Sequence, residues 1–215
     1  MDTVNVEEEK KLKTGYTTGS CATAASKAAL LSIINQKKIE NIDILLPKRS
    51  YLQIPIDSCK FESDKAKCIV IKNGGDDPDV THGAEIIVEL SFTEKINEIE
   101  IDGGEGVGIV TKPGLGLEIN KPAINPVPKK MISENLREAG KKILLEKGIR
   151  VVISVPKGKE LGPKTDNPRL GIVNGISILG TSGIVIPFST AAFAASIRQN
   201  LDVAIAAGND TVVLT

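Results

Sequence analysis

The sequence is short of several things that would have pointed to a function at once. Neither charge predominates: Lys and Arg total 27, and so do Asp and Glu. A general nucleic-acid binder would show a basic excess, so that class is not expected. The three cysteines, Cys21, Cys59 and Cys68, form no CxxC pair. They offer no zinc site and suit a reducing compartment. No apolar run reaches membrane-spanning length; the longest, 190–207, is broken by Arg198 and Asp202. The opening residues are acidic and then lysine-rich, unlike a signal peptide. The chain lacks both GxxxxGK[ST] and GxGxxG, so neither ATP nor a dinucleotide is indicated by spacing. A soluble, cytoplasmic protein is expected, binding neither nucleic acid nor membrane.

What is present is enough apolar sequence for a core, 41% of 215 residues, with 25% charged. Residues 1–11 are polar and expected to fray. A Gly/Thr/Ser-rich turn, residues 13–22, then opens an alanine-rich helix running to about Asn35. Thr18 or Ser20 is the expected N-cap. Such a turn also presents amide donors at a positive helix end, so it reads either as a plain cap or as an anion site. Residues 41–46 and 51–56 read as a hairpin. Strands are expected at 66–71, 86–92 and 98–102, the second alternating with a period of two. Prolines extend 122–128 and lead into a helix over 129–147, stopped by Gly148. Another strand follows at 150–155. Helices against a mainly antiparallel sheet make this part an α+β layer.

Two loops are chemically loaded. Between the strands at 66–71 and 86–92 lie Asp76, Asp77, Asp79, Glu85, three glycines and the sole histidine, His82. Clustered acids repel one another, so a proton, a cation or a positively charged ligand would complement them. The plainer reading is a solvated acidic turn. The second loop places six glycines between Gly103 and Gly116, with Lys112 beside them. It reads equally as a bulged hairpin and as a loop whose bare amides hold phosphate or carboxylate.

From about residue 156 the texture changes. A buried strand at 173–179, a glycine turn over Gly180–Gly183, a helix capped by Ser189 or Thr190 and running to about Ala207, and a strand at 211–214 make a βαβ pattern with a parallel sheet. One such unit cannot cover both faces of its sheet, so the second region reads as truncated. The expected division is 1–165 for the α+β domain and 166–215 for the start of an α/β domain.

Seven stretches, in order, carry a family resemblance: Thr14-Gly15-Tyr16-Thr17-Thr18-Gly19-Ser20-Cys21-Ala22; Asp76 to Glu85; Gly103-Gly104-Glu105-Gly106-Val107-Gly108; Thr111 to Leu115; Ala123-Ile124-Asn125-Pro126-Val127-Pro128; Asn167 to Ile172; and Gly175 to Thr181. Together they resemble the CbiD family of cobalt-precorrin-5B (C1)-methyltransferases. Two departures are Lys72-Asn73-Gly74, where members often carry Lys-Asp-Ala, and Gly162-Pro163-Lys164. The resemblance implies an α+β domain like a permuted ribosomal S5-type domain, followed by an α/β domain, and longer chains. It also implies S-adenosylmethionine as methyl donor, C1 of a cobalt-bearing tetrapyrrole as acceptor, cobalt-precorrin-6A as product and no metal ion bound by the protein. Self-association is left open.

Methyl transfer by in-line displacement requires alignment and exclusion of water, and C1 must be made electron-rich. Asp77, Asp79 and His82 are the expected catalytic groups, since histidine alone has an ordinary pKa near neutrality, about 6.5. The other available bases are Asp76, Glu85 and Glu105. Gly104, Glu105, Gly106, Lys112 and Arg169, with Lys129 and Lys130, are expected to meet the carboxylates of the substrate. Gly175, Gly180, Thr181 and Gly183 are expected near S-adenosylmethionine, by the rule that α/β sheets bind ligands beyond their strand ends. Two alternatives stand beside this: a tetrapyrrole-binding module without turnover, and a hydrolase with a divalent metal on the aspartate loop.

Overall fold

Alternating apolar residues and small-residue helices set the architecture of the computed structural model, which describes residues 12–213. The polar stretch 1–11, expected to fray, lies outside them. In chain order the elements are β1 (Gly15–Tyr16), α1 (Thr18–Asn35), β2 (Asn41–Leu45), β3 (Tyr51–Pro55), β4 (Ser58–Phe61), β5 (Lys65–Ile71), β6 (Glu85–Thr93), β7 (Ile99–Gly103), β8 (Ile109–Val110), α2 (Pro126–Ala139), β9 (Gly148–Ser154), α3 (Gly158–Leu161), α4 (Asn167–Leu170), β10 (Ile172–Val173), β11 (Ile184–Val185) and α5 (Thr190–Ala206).

The main sheet has the order β4-β5-β6-β9-β7. Its pairs are antiparallel except β9 with β7, which are parallel. This is the mixed α+β layer expected from the sequence. Val88, Leu90, Val151 and Ile153 make the centre of the core, and α1 and α2 pack over it. Helix α1 is small and apolar almost all round, which is the pattern of a buried helix. Its alanines let it approach the sheet closely, and the hydroxyls of Thr23, Ser26 and Ser32 donate back to carbonyls of Gly19, Ala22 and Ala28. These bonds satisfy polar groups that burial would otherwise leave costly.

Several expectations are corrected. The N-cap of α1 is Thr17, whose hydroxyl accepts from the Ser20 N–H. Thr18 and Ser20 turn outward from the helix instead, donating to the carbonyls of Ser177 and Gly183. Helix α2 begins at Pro126 and ends at Ala139, before the expected stop at Gly148. Gly140 is the break: helix interiors disfavour glycine, and here its bare Cα sits against the Leu30 side chain. β4 was not foreseen. It brings Cys59 opposite Cys68 in the strand register, where their sulfurs are bonded as a disulfide. No sequence motif announces a pairing made by register.

The parallel βαβ unit expected after residue 166 is also corrected. β10 pairs antiparallel with β8, and β11 antiparallel with β1. Ile176 and Ile178 form bridges with Val107 and Ile124, so this segment is used up against the first layer. Helix α5 forms as expected, capped by Ser189. Residues 211–213 form no strand, and residues 214–215 lie outside the described ones. No helix among the described residues is long and apolar enough to cross a membrane.

Candidate functional site

The residue that follows β5 is a lysine, Lys72, and it keeps the inward phase of the strand. Ala66, Cys68 and Val70 point into the core, and the same period of two carries Lys72 inward after them. It is 2% exposed. A buried ammonium needs a counter-charge, and Asp79, returning on the acidic loop, provides it in a direct ion pair. The other oxygen of Asp79 accepts from the Thr81 N–H at 2.7 Å and the Thr81 hydroxyl at 2.5 Å. Burial pushes the Asp79 carboxyl up. The Lys72 ammonium and the two Thr81 bonds outweigh that and hold it below the ordinary range. Cys21, on the facing side of α1, is driven the other way: burial pushes its thiol up to about 12 against the pull of Lys72.

Two cavities meet at Lys72. The larger, about 260 Å³, is bordered by Tyr16, Asp57, Asn73 and His82. The smaller, about 170 Å³, is bordered by Thr18, Asp79, Asn167 and Ser177. Its walls are thus the start of α1, the acidic loop and the 176–179 segment. Ser177 donates to Asn167 at 3.0 Å, and Asn167 to the Gly175 carbonyl at 3.1 Å. The Thr18 hydroxyl accepts from the Leu179 N–H at 2.9 Å. Burial raises the pKa of Tyr16, at the edge of the larger cavity.

The acidic loop is not a bare cluster of acids. Asp76 accepts from the Lys13 N–H at 2.7 Å, and Asp77 from the Phe188 N–H at 3.0 Å. Nδ1 of His82 accepts from the Gly74 N–H at 3.1 Å, so in the neutral ring Nε2 carries the proton and is a donor. Each acid therefore answers a different part of the chain. Among the described residues no group of three His, Cys, Asp or Glu is arranged to hold a metal ion.

Of the expected catalytic residues, Asp79 borders the smaller cavity and His82 the larger, while Asp77 borders neither and ties the loop to the approach of α5. Gly180 and Gly183 lie against the start of α1, where the space a side chain would need is filled by Thr17 and by Leu46 with Ser20. Both have positive φ, 137° and 86°, which disfavours other residues there. Gly175 is packed against the backbone of Gly106, and Thr181 is exposed. The turn containing Gly104, Glu105 and Gly106 lies at the ends of β7 and β9, with Gly104 donating to Ile153 and the Gly106 carbonyl accepting from Ile176, which borders the smaller cavity. Lys112 and Arg169 are exposed neighbours, the Lys112 ammonium 3.5 Å from the Arg169 carbonyl. Lys129 and Lys130 are exposed on α2. The sequence reading gave no part to Lys72, Asn167 or Ser177. The signal for Lys72 was available in the phase of β5.

A model of the CbiD family matches residues 5–187. The cobalt-precorrin-5B C(1)-methyltransferase of Geobacillus sp. (strain WCH70) is 51% identical over 210 residues, covering 98% of this chain and 57% of that protein. The protein of the same name from Priestia megaterium is 50% identical over 209 residues, covering 97% and 57%. Among solved structures, the cobalamin biosynthesis protein CbiD from Archaeoglobus fulgidus matches with a TM-score of 0.63 and 32% identity, over 87% of this chain and 59% of that one. The chain spans a little over half the length of the curated relatives it matches.

Proposed function

Since the chain belongs to the CbiD family, we propose that it acts in methylation of C1 of cobalt-precorrin-5B, with S-adenosylmethionine as donor and cobalt-precorrin-6A as product. The observation that carries this is 51% identity, over 98% of the chain, to a protein bearing that name. When bound, S-adenosylmethionine supplies an activated methyl group on a sulfonium. The buried Lys72 ammonium facing two cavities supports a polar ligand of this kind, because its single carboxylate partner leaves donors over.

In this reading the parts divide by chemistry. His82, whose Nδ1 accepts from the Gly74 N–H and whose Nε2 therefore carries the ring proton, is the group at the larger cavity that donates a hydrogen bond to the macrocycle and stabilises negative charge as C1 becomes electron-rich. Asp79 stays ionised and fixes Lys72, a supporting part suited to its lowered pKa. Asp77 holds the loop in place through Phe188. Gly175, Gly180, Thr181 and Gly183 shape the chain beside the donor site. Gly104, Glu105, Gly106, Lys112 and Arg169 meet the acid side arms of the tetrapyrrole, where guanidinium and backbone N–H groups suit carboxylates. The same reading carries a permuted S5-type domain over residues 1–165, the start of an α/β domain at 166–215, and a place in the cytoplasm.

The test is an anaerobic incubation of the chain with S-adenosylmethionine and cobalt-precorrin-5B. The expected result is release of S-adenosylhomocysteine together with a tetrapyrrole heavier by one methyl group. Binding of the tetrapyrrole with no methylated product would favour the binding module. Activity abolished by chelation and restored by magnesium would favour the hydrolase.

A further inference from the structure

Lys72 is 2% exposed, yet its ammonium donates to one acceptor, Asp79. An ammonium carries three N–H donors, and buried polar groups are almost always answered by a partner. Because Lys72 borders both cavities, its remaining donors have open space beside them. The smaller cavity adds a second donor of another kind. The first N–H groups of a helix have no acceptor within it. In α1 those of Gly19, Ser20 and Cys21 go to the Leu179 carbonyl, the Thr17 hydroxyl and the Thr17 carbonyl. The N–H of Thr18 has no such partner among the described residues, and Thr18 borders this cavity. It also stands at the positive end of the helix dipole.

The same wall holds a negative group. Oδ1 of Asp79 is filled by the two Thr81 bonds, whereas Oδ2 accepts only from Lys72 and keeps a lone pair. The cavity therefore presents a cation, a backbone donor and an anion at once. The ion pair is neutral overall, so a lone anion gains little from Lys72 without being repelled by Asp79. A ligand with both charges on one carbon meets each with its opposite. The space of about 170 Å³ equals roughly five or six waters. That is room for an amino-acid head and its first methylene groups.

We propose that this cavity is the subsite for a zwitterionic α-amino-acid head, with the carboxylate on Lys72 and the Thr18 N–H and the ammonium on Asp79. Within the function proposed above, on which this rests, that head is the methionyl end of S-adenosylmethionine.

Calorimetric titration with two probes tests it. S-adenosylhomocysteine has the head; 5′-methylthioadenosine shares the nucleoside and thioether but lacks it. The chain is expected to bind the first more tightly. Lys72→Met should weaken S-adenosylhomocysteine about tenfold or more and leave methylthioadenosine within about twofold. Val185→Phe reaches the same cavity from the edge strand β11 without touching the ion pair. It should show the same selective loss, and it decides the matter if Lys72→Met does not fold. Equal affinity of the unaltered chain for both probes, or unchanged S-adenosylhomocysteine affinity in folded variants, overturns the subsite alone. Binding of neither probe overturns the subsite and counts against the methyl-donor reading as well.

Discussion

Helices α1 and α5 have nearly the same length, 18 and 17 residues, and both are rich in alanine. In α1 every residue except Leu31, Ile34 and Asn35 is buried, whereas in α5 only Val203 is. The difference is in what lies beside them. α1 is enclosed by β2, β4, β5, β6 and α2, and its first turn is tied to the 177–183 segment. Among named elements α5 has appreciable contact only with α4, and Phe193 and Ile205 stand exposed on it. Both segments form helices, but only α1 gains the tertiary packing that supplies most helical stability in proteins. The Lys72 cavities lie at the enclosed helix.

The comparison breaks most visibly under one substitution made in both helices. Ala25→Asp places an uncompensated carboxylate at a fully buried position. It should cost more than about 4 kcal/mol and abolish cooperative unfolding by heat at neutral pH. An intermediate effect belongs to Cys21. Its thiol is raised from 9.0 to about 12 in the fold, so the folded state keeps a proton that the unfolded chain releases. Stability contributed this way is complete below pH 9 and falls as the pH rises from there towards 12. The loss is at most about 1.4 kcal/mol per pH unit. Cys21→Ala should flatten that alkaline decline in denaturant titrations; an identical slope would remove the thiol from the account. The smallest effect is the matching arm, Ala195→Asp in α5. It should shift stability by no more than about 0.5 kcal/mol, because the residue is exposed.

Much of this contrast was legible in the sequence, and the illegible part has a physical cause. The hairpin of β2 and β3, the helix α1 and the strands β5 and β6 follow from local period and turn residues, which act within a few positions. The fate of 172–185 does not. Ile176 and Ile178 alternate in the same way whether they join a new parallel sheet or bridge Val107 and Ile124, as they do. The acidic loop read as a cluster because its acids are close in sequence. Their partners Lys13, Lys72 and Phe188 are set by the tertiary fold. Lys72 is the instructive case: its inward phase was visible from Ala66, Cys68 and Val70, but lysine is so rarely buried that the phase was not followed. What made burial tolerable was Asp79, seven residues on and across a turn.

The central claim is that ligand chemistry is organised around Lys72 at the mouth of the enclosed helix. Amide hydrogen exchange with and without S-adenosylhomocysteine tests it most directly. The account predicts that the ligand slows exchange at residues 17–20, 72–83 and 176–180, while α5 exchanges quickly and equally in both samples. Slowing confined to α5 or to the 103–117 loop, with no change around Lys72, would contradict it.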